Sequence, residues 1–155
     1  MSYTTVPNRY TLDTNILIYA VDSSQGAKHK LASKLLLRAA VERQPLMLQC
    51  LHEFAAVTLR KKLIASSQLE TILRYHERSF DVITPQTEDL FAAIRAQQKH
   101  NLSFFDALLW AGAKRSGCHI LFSEDFQSGR TLEGVDFINP FTMNLREIKA
   151  LTTSI

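Results

Sequence analysis

Apolar residues follow two alternating rhythms along this chain. Short dense runs, Tyr10 to Leu12, Leu46 to Leu48, Phe80 to Ile83, His119 to Phe122 and Val135 to Ile138, have the length and composition of buried strands. The stretches between them repeat at helical spacing. Ile16 to Val21 reads as a short buried helix, and Asp22 to Gly26 as a loop. Lys28 to Arg43 is amphipathic: Leu31, Leu35, Leu36, Ala39 and Ala40 share one face, and Lys28, Lys30, Lys34, Arg38 and Arg43 fall outside it. A helix from about Leu51 to Leu63 turns Leu51, Phe54, Ala55, Val57 and Thr58 inward, with Arg60, Lys61 and Lys62 at its C-terminal end, where cations suit the helix dipole.

Helix signals continue in the second half. Ser67 with Glu70 three residues on has the form of a capping box ahead of Leu69, Ile72 and Leu73. Thr84-Pro85 reads as an N-cap with proline at the first helical position, opening a helix to about His100 on Leu90, Phe91 and Ile94. Ser103 starts another, with Phe105, Leu108, Leu109 and Ala113 on its buried side and Ser116-Gly117 as its stop. Phe126 to Gly134 reads as a loop. A last helix is expected from Met143 to Leu151, with a frayed tail from Thr152 to Ile155. Strands separated by helices nearly throughout predict an α/β domain: three α/β/α layers around a central parallel sheet. The 155 residues contain no repeat or linker, so a single domain over 1–155 is expected, with its core at about 10–141.

In a parallel sheet of this kind the functional crevice lies beyond the C-terminal strand ends. Asp13 follows the first strand directly, Glu53 lies shortly beyond the second, and Ser123-Glu124-Asp125 follows the fourth. Each acid also has an ordinary explanation. Asp13 suits the N-cap of the following helix, Asp106 the far half of a capping box with Ser103, Glu53 a solvated first turn, and Asp125 a turn. Together, Asp13, Glu53, Asp106 and Asp125 make a candidate metal cluster. Gathered carboxylates disfavour one another's charge, and a hard divalent cation relieves that cost. Oxygen-only ligands favour Mg²⁺ or Mn²⁺ over zinc, and the five histidines show no zinc-site spacing. His52 reads as structural or peripheral.

Charge and cysteine content narrow the partners. Eighteen Lys and Arg against fifteen Asp and Glu give +3, and setting four acids aside in a cleft leaves a surplus of seven positive charges. A basic body around an acidic metal pocket suits a polyanion, and metal chemistry at phosphate needs no protein nucleophile. No convincing Ser/His/Asp or Cys/His triad is present. Cys50 and Cys118 read as buried free thiols. No apolar run reaches membrane-spanning length, and Ser2, Thr4, Thr5, Asn8 and Arg9 interrupt any signal core, so no membrane association and a cytoplasmic location are expected.

Leu12-Asp13-Thr14-Asn15 resembles the first motif of PIN-domain ribonucleases. Glu53 resembles their second acid, Ser103-Phe104-Phe105-Asp106-Ala107-Leu108-Leu109-Trp110-Ala111 their third motif, and Ser123-Glu124-Asp125-Phe126 their fourth. Asn139-Pro140-Phe141 after the last strand is similar to bacterial members of the VapC toxin type. The resemblance implies an endoribonuclease dependent on Mg²⁺ or Mn²⁺, with Asp13, Glu53, Asp106 and Asp125 as the metal-binding cluster. Asn15 and Ser123 would orient ligands or the attacking water. RNA would be the substrate, a homodimer the assembly, and a small antitoxin the inhibitor. Either Glu124 or Asp125 is able to face the metal; the spacing from Ser123 favours Asp125. A phosphatase of the haloacid-dehalogenase type wants an aspartate where Asn15 stands, and a receiver domain wants a late lysine that Ser123-Glu124-Asp125 does not supply. A DNA nuclease of related architecture and a non-catalytic RNA- or partner-binding module are the remaining alternatives.

Overall fold

A computed structural model describes residues 8–126 and 129–153. The chain runs β1 (Tyr10–Leu12), α1 (Thr14–Val21), α2 (Ala27–Val41), β2 (Pro45–Met47), α3 (Leu48–Lys61), α4 (Ser66–Ser79), β3 (Asp81–Ile83), α5 (Thr87–Lys99), α6 (Phe104–Arg115), β4 (Ile120–Phe122), β5 (Thr131–Leu132), β6 (Val135–Ile138) and α7 (Leu145–Thr152). Short 3₁₀ turns stand at Ser23–Gln25 and Pro140–Thr142. The α/β architecture with a helix-flanked sheet matches expectation.

The sheet is built in two pieces. One has the order β1-β4-β6-β5, with β1, β4 and β6 parallel; the other is the parallel pair β2-β3. The two meet where β1 lies beside β2 with no ladder between them. Buried Gln44, just before β2, fills that place: its Oε1 accepts the Tyr10 N–H at 3.2 Å, and its Nε2 donates to the Asn8 carbonyl at 3.3 Å. On the same side the Cys50 thiol donates to the Leu12 carbonyl at 3.6 Å. Side chains therefore satisfy backbone groups that a neighbouring strand would otherwise pair.

The core is packed between the layers. Tyr10 and Phe122 meet edge to face at 5.5 Å, Phe126 stacks on Phe137 at 4.6 Å, and Phe54, Phe80, Leu12, Ile16 and Leu121 are fully buried around them. At Gly112 a Cβ would stand 2.9 Å from the Met47 sulfur, so a side chain there would push the Met47 side chain aside. Cys50 and Cys118 are buried free thiols as expected. Among the described residues, no helix is long and apolar enough to cross a membrane.

Several expected details differ. Leu48 opens α3 and is not strand. Ser67 does not cap α4: the helix begins at Ser66 behind Ala65, which gives no side-chain cap. The cap of α5 is Gln86, in a reciprocal box with Asp89, and Thr84-Pro85 precedes the helix. Leu90, Phe91 and Ile94 do not form its buried stripe; they are exposed, and Asp89, Ala93 and Ala96 face inward. Asp89 turns in because Arg115 meets it there through two hydrogen bonds, at 2.8 and 2.9 Å. Phe105, expected inside, is 63% exposed. The expected loop at 126–134 contains β5, which pairs antiparallel with β6. The last helix starts at Leu145, capped by Asn144, and ends with Thr152 buried rather than frayed. The expected fraying at 154–155 and the polar interruptions at Ser2, Thr4 and Thr5 lie outside the described residues.

Candidate functional site

Asp13 stands where β1 stops. Its N–H still donates to the Phe122 carbonyl at 2.9 Å, extending the pairing with β4 by one residue. Its Oδ1 accepts the Thr14 N–H at 2.6 Å, so it does cap α1. The second oxygen is held separately: Ser123 Oγ, just past β4, donates to Oδ2 at 2.6 Å. Capping and site membership thus use different oxygens of one carboxylate. Asp13 is 7% exposed. Burial pushes its carboxyl up to about 6; the bonds from Ser123 and Thr14 lower it, while the charges of Asp125 and Glu53 raise it.

Two hydrogen-bond chains leave Asp13. The first passes through Ser123, whose Oγ accepts the Asp125 N–H at 3.1 Å, to the Asp125 carboxylate, where Asn15 Nδ2 donates to Oδ2 at 3.1 Å. The second passes through Thr14, whose Oγ1 donates to Glu53 Oε2 at 2.9 Å. Gln49 Nε2 donates to Glu53 Oε1 at 3.0 Å and also to the Phe105 carbonyl at 3.2 Å, which ties the first turn of α6 to α3. Asp106 follows Phe105. Its own N–H is taken by Ser103 Oγ at 3.2 Å, so Ser103 is the cap of α6. Burial raises the Asp125 carboxyl, Asn15 lowers it, and the charges of Glu124, Asp106 and Glu53 raise it. Asp13 therefore lies within the field of Asp125 and Glu53, and Asp125 within that of Asp106 and Glu53.

They are not drawn into a tight cage. Among the described residues, no three His, Cys, Asp or Glu side chains are gathered closely enough to hold one metal ion. Three of the carboxylates are turned to their own donors: Asp13 to Ser123 and Thr14, Glu53 to Thr14 and Gln49, Asp125 to Asn15. The donor chemistry nonetheless suits a hard cation. It is oxygen throughout, and among the described residues the buried Asn15 carbonyl oxygen has no hydrogen-bond partner.

Glu124 and Asp125 part company here. Glu124 accepts from the Tyr19 hydroxyl and from Lys28 Nζ at 2.8 Å. Burial raises its carboxyl, but the Lys28 and Tyr19 bonds outweigh it and leave it below the usual range. Lys28 Nζ also lies 5.1 Å from the Tyr19 ring centre and 5.6 Å from that of Phe141. Asp125 alone of the two bonds to Asn15. His52 is exposed on α3 at the edge of an apolar groove with Leu48 and Leu51, outside the bonded network of acids. Sequence reading missed Thr14, Gln49, Tyr19 and Lys28. The four-residue spacing of Gln49 and Glu53 on one helix was a usable signal; the partners of Glu124 come from two distant helices and left none.

A family model described as PIN domain matches residues 10–131. No curated protein matches the chain. Among solved structures, a toxin-antitoxin complex from Klebsiella pneumoniae is similar, with a TM-score of 0.60 at 20% identity, covering 81% of this chain and 94% of that one. VapC20 from Mycobacterium tuberculosis, a Sarcin-Ricin loop cleaving toxin, matches at 0.60 and 17% identity, covering 75% and 91%. VapBC2 from Rickettsia felis, bound to a DNA fragment from its promoter, matches at 0.61 and 15%, covering 83% and 96%. At such identities these likenesses concern the fold. The family match spans most of the chain and contains all four acids, and by it this protein belongs to the PIN-domain family.

Proposed function

We propose that this protein is a metal-dependent endoribonuclease, the toxin of a toxin-antitoxin pair. The observation that carries the reading is the buried Asp13 carboxylate, joined by hydrogen bonds to Asp125 through Ser123 and to Glu53 through Thr14. Asp13, Glu53, Asp106 and Asp125 would hold Mg²⁺ or Mn²⁺. A bound cation of this kind polarises a phosphate oxygen and brings the pKa of a water down toward neutrality. The protein's own part is orientation. Ser123 and Thr14 fix the two oxygens of Asp13, Asn15 fixes Asp125, and Gln49 fixes Glu53 against α6. Without a cation, burial and the charges of Asp125 and Glu53 raise the Asp13 carboxyl, and a bound divalent cation would offset that cost.

The partner proposals rest on the similar structures, which include a toxin-antitoxin complex and a VapBC pair. A small antitoxin would bind and silence this chain. The exposed apolar face of α5 at Leu90, Phe91 and Ile94 supports a homodimer. The test incubates purified protein with transfer RNA, ribosomal RNA and single-stranded DNA, with Mg²⁺, Mn²⁺ or EDTA. Divalent-dependent RNA cleavage that Asp13→Asn removes supports the reading. DNA cleavage with RNA left intact moves it to a DNA nuclease, and no cleavage of any substrate leaves only a binding module.

A further inference from the structure

A small polar pocket of about 90 Å³ lies between α5 and α6, away from the acids. Arg95 and Lys99 line it from α5, His100 from the cap just after it, Lys114 from α6, and Glu133 closes it from the β5–β6 turn. Lys114 pairs with Glu133 and lies 5.4 Å over the Trp110 ring. Arg95, Lys99 and His100 form no ion pair among the described residues, although the charges of Lys99 and His100 act on Glu133. One acid therefore stands among four basic side chains and is already engaged. Arg95, Lys99 and Lys114 against the single Glu133 carboxylate leave this concave polar site with surplus positive charge, which favours an anion.

The pocket's place along α6 suggests which anion. Asp106, Trp110 and Lys114 follow one another at four-residue intervals and stand along one ridge of the helix. Trp110 and Lys114 are about 6 and 12 Å along the axis from Asp106. Helical side chains lean toward the N-terminus, so the Lys114 ammonium reaches back over Trp110 toward the acid end. A strand held at Asp106 covers that distance with a few nucleotides.

We propose that the pocket formed by Arg95, Lys99, His100 and Lys114 is a second binding site for the phosphate backbone of the RNA strand whose cleavage is proposed above. It holds the flanking strand and contributes affinity without touching the scissile bond. The proposal rests on the ribonuclease reading, and its test is read by binding, not by cleavage. A labelled single-stranded RNA is titrated by fluorescence anisotropy in EDTA, across a range of salt, against wild type, Arg95→Ala/Lys99→Ala, and Lys30→Ala/Lys34→Ala on α2 as a matched loss of charge. Arg95 and Lys99 are exposed and unpaired, and an unchanged melting temperature verifies the fold. The α5 pair is expected to weaken binding on the order of tenfold and to flatten the slope of log K against log salt by about 1.4, as two lost contacts to a single strand require. The α2 pair should change neither. Equal losses from both pairs, or none from the α5 pair, overturn the proposal. Metal-dependent RNA cleavage by wild type in the same preparation then stands as separate support for the activity, so the two readings fail independently.

Discussion

Ser123 and Asp13 come from strands 110 residues apart in sequence and share a 2.6 Å hydrogen bond inside the protein. The Ser123 hydroxyl donates to Asp13 and accepts the Asp125 N–H with the same oxygen. One hydroxyl thus ties the Asp13 carboxylate to the backbone that carries Asp125. Ser123→Ala is expected to leave the fold intact and to lower cleavage by about 10- to 100-fold, the usual cost of losing a group that orients a metal ligand. Mn²⁺ affinity, followed by calorimetry, should fall in parallel. Full activity in this variant would mean that the hydroxyl only caps a turn.

Asp13 makes metal-free stability depend on pH in an unusual direction. Its folded pKa, about 6, is raised above the ordinary 3.8. The folded state therefore holds the proton more tightly than the unfolded state. The stability this confers is complete below pH 3.8 and is lost as pH rises through about 6. Asp13→Asn removes that loss, so in EDTA at pH 7 it should be more stable than wild type by roughly 3 kcal/mol, while cleavage is abolished. Urea denaturation at pH 3.5 and pH 7 brackets the transition. Equal pH slopes for the two proteins would count against a strained carboxylate.

Millimolar Mn²⁺ should raise the melting temperature of wild type, because binding to the folded state alone stabilises it. Asp13→Asn and Asp125→Asn should show little of this shift. A wild-type melting temperature indifferent to Mn²⁺ would speak against a metal site built on these acids.

Glu124 and Asp125 are adjacent, yet their substitutions should behave differently. Asp125→Asn is expected to abolish cleavage. Glu124→Gln weakens the contact of the loop with Tyr19 and Lys28 and should leave measurable activity with a lowered melting temperature. Cleavage lost in the Glu124 variant and kept in the Asp125 variant would reverse the assignment.

Asp89 and Arg115 offer the opposite pH dependence. Burial raises the Asp89 carboxyl, but the Arg115 hydrogen bonds, the Gln86 N–H and the Arg115 charge together hold it below the ordinary 3.8. Its contribution is present above pH 3.8 and is lost as pH falls through the lower folded value. Asp89→Ala leaves Arg115 without its partner and uncaps α5, for an expected cost of about 3 kcal/mol. Acid denaturation midpoints of the two proteins give the comparison.

The strand–helix alternation and all four acids could be read from the chain because both depend on local pattern: dense apolar runs, and acids just past strand ends. What escaped depends on distant partners. Leu90, Phe91 and Ile94 have a sound helical period, but so do Asp89, Ala93 and Ala96, and only Arg115 from another helix decides which face turns inward. Phe105 looked like core because its neighbours Phe104 and Leu108 are apolar; its place in the first turn of α6 leaves it in solvent. The antiparallel β5 has two residues, too few to leave a pattern.

The junction between β1 and β2 has a consequence for the acids above it. Asp13 belongs to one piece of the sheet and Glu53, on α3 after β2, to the other. Thr14 bridges them beside Asp13, Cys50 reaches the Leu12 carbonyl at the end of β1, and Gln44 meets Tyr10 at its start. No backbone ladder sets the gap, so three side chains act as its spacers. The width of the acid cleft is thereby tied to replaceable atoms: shortening Gln44 or Thr14 is expected to change how far apart Asp13 and Glu53 stand.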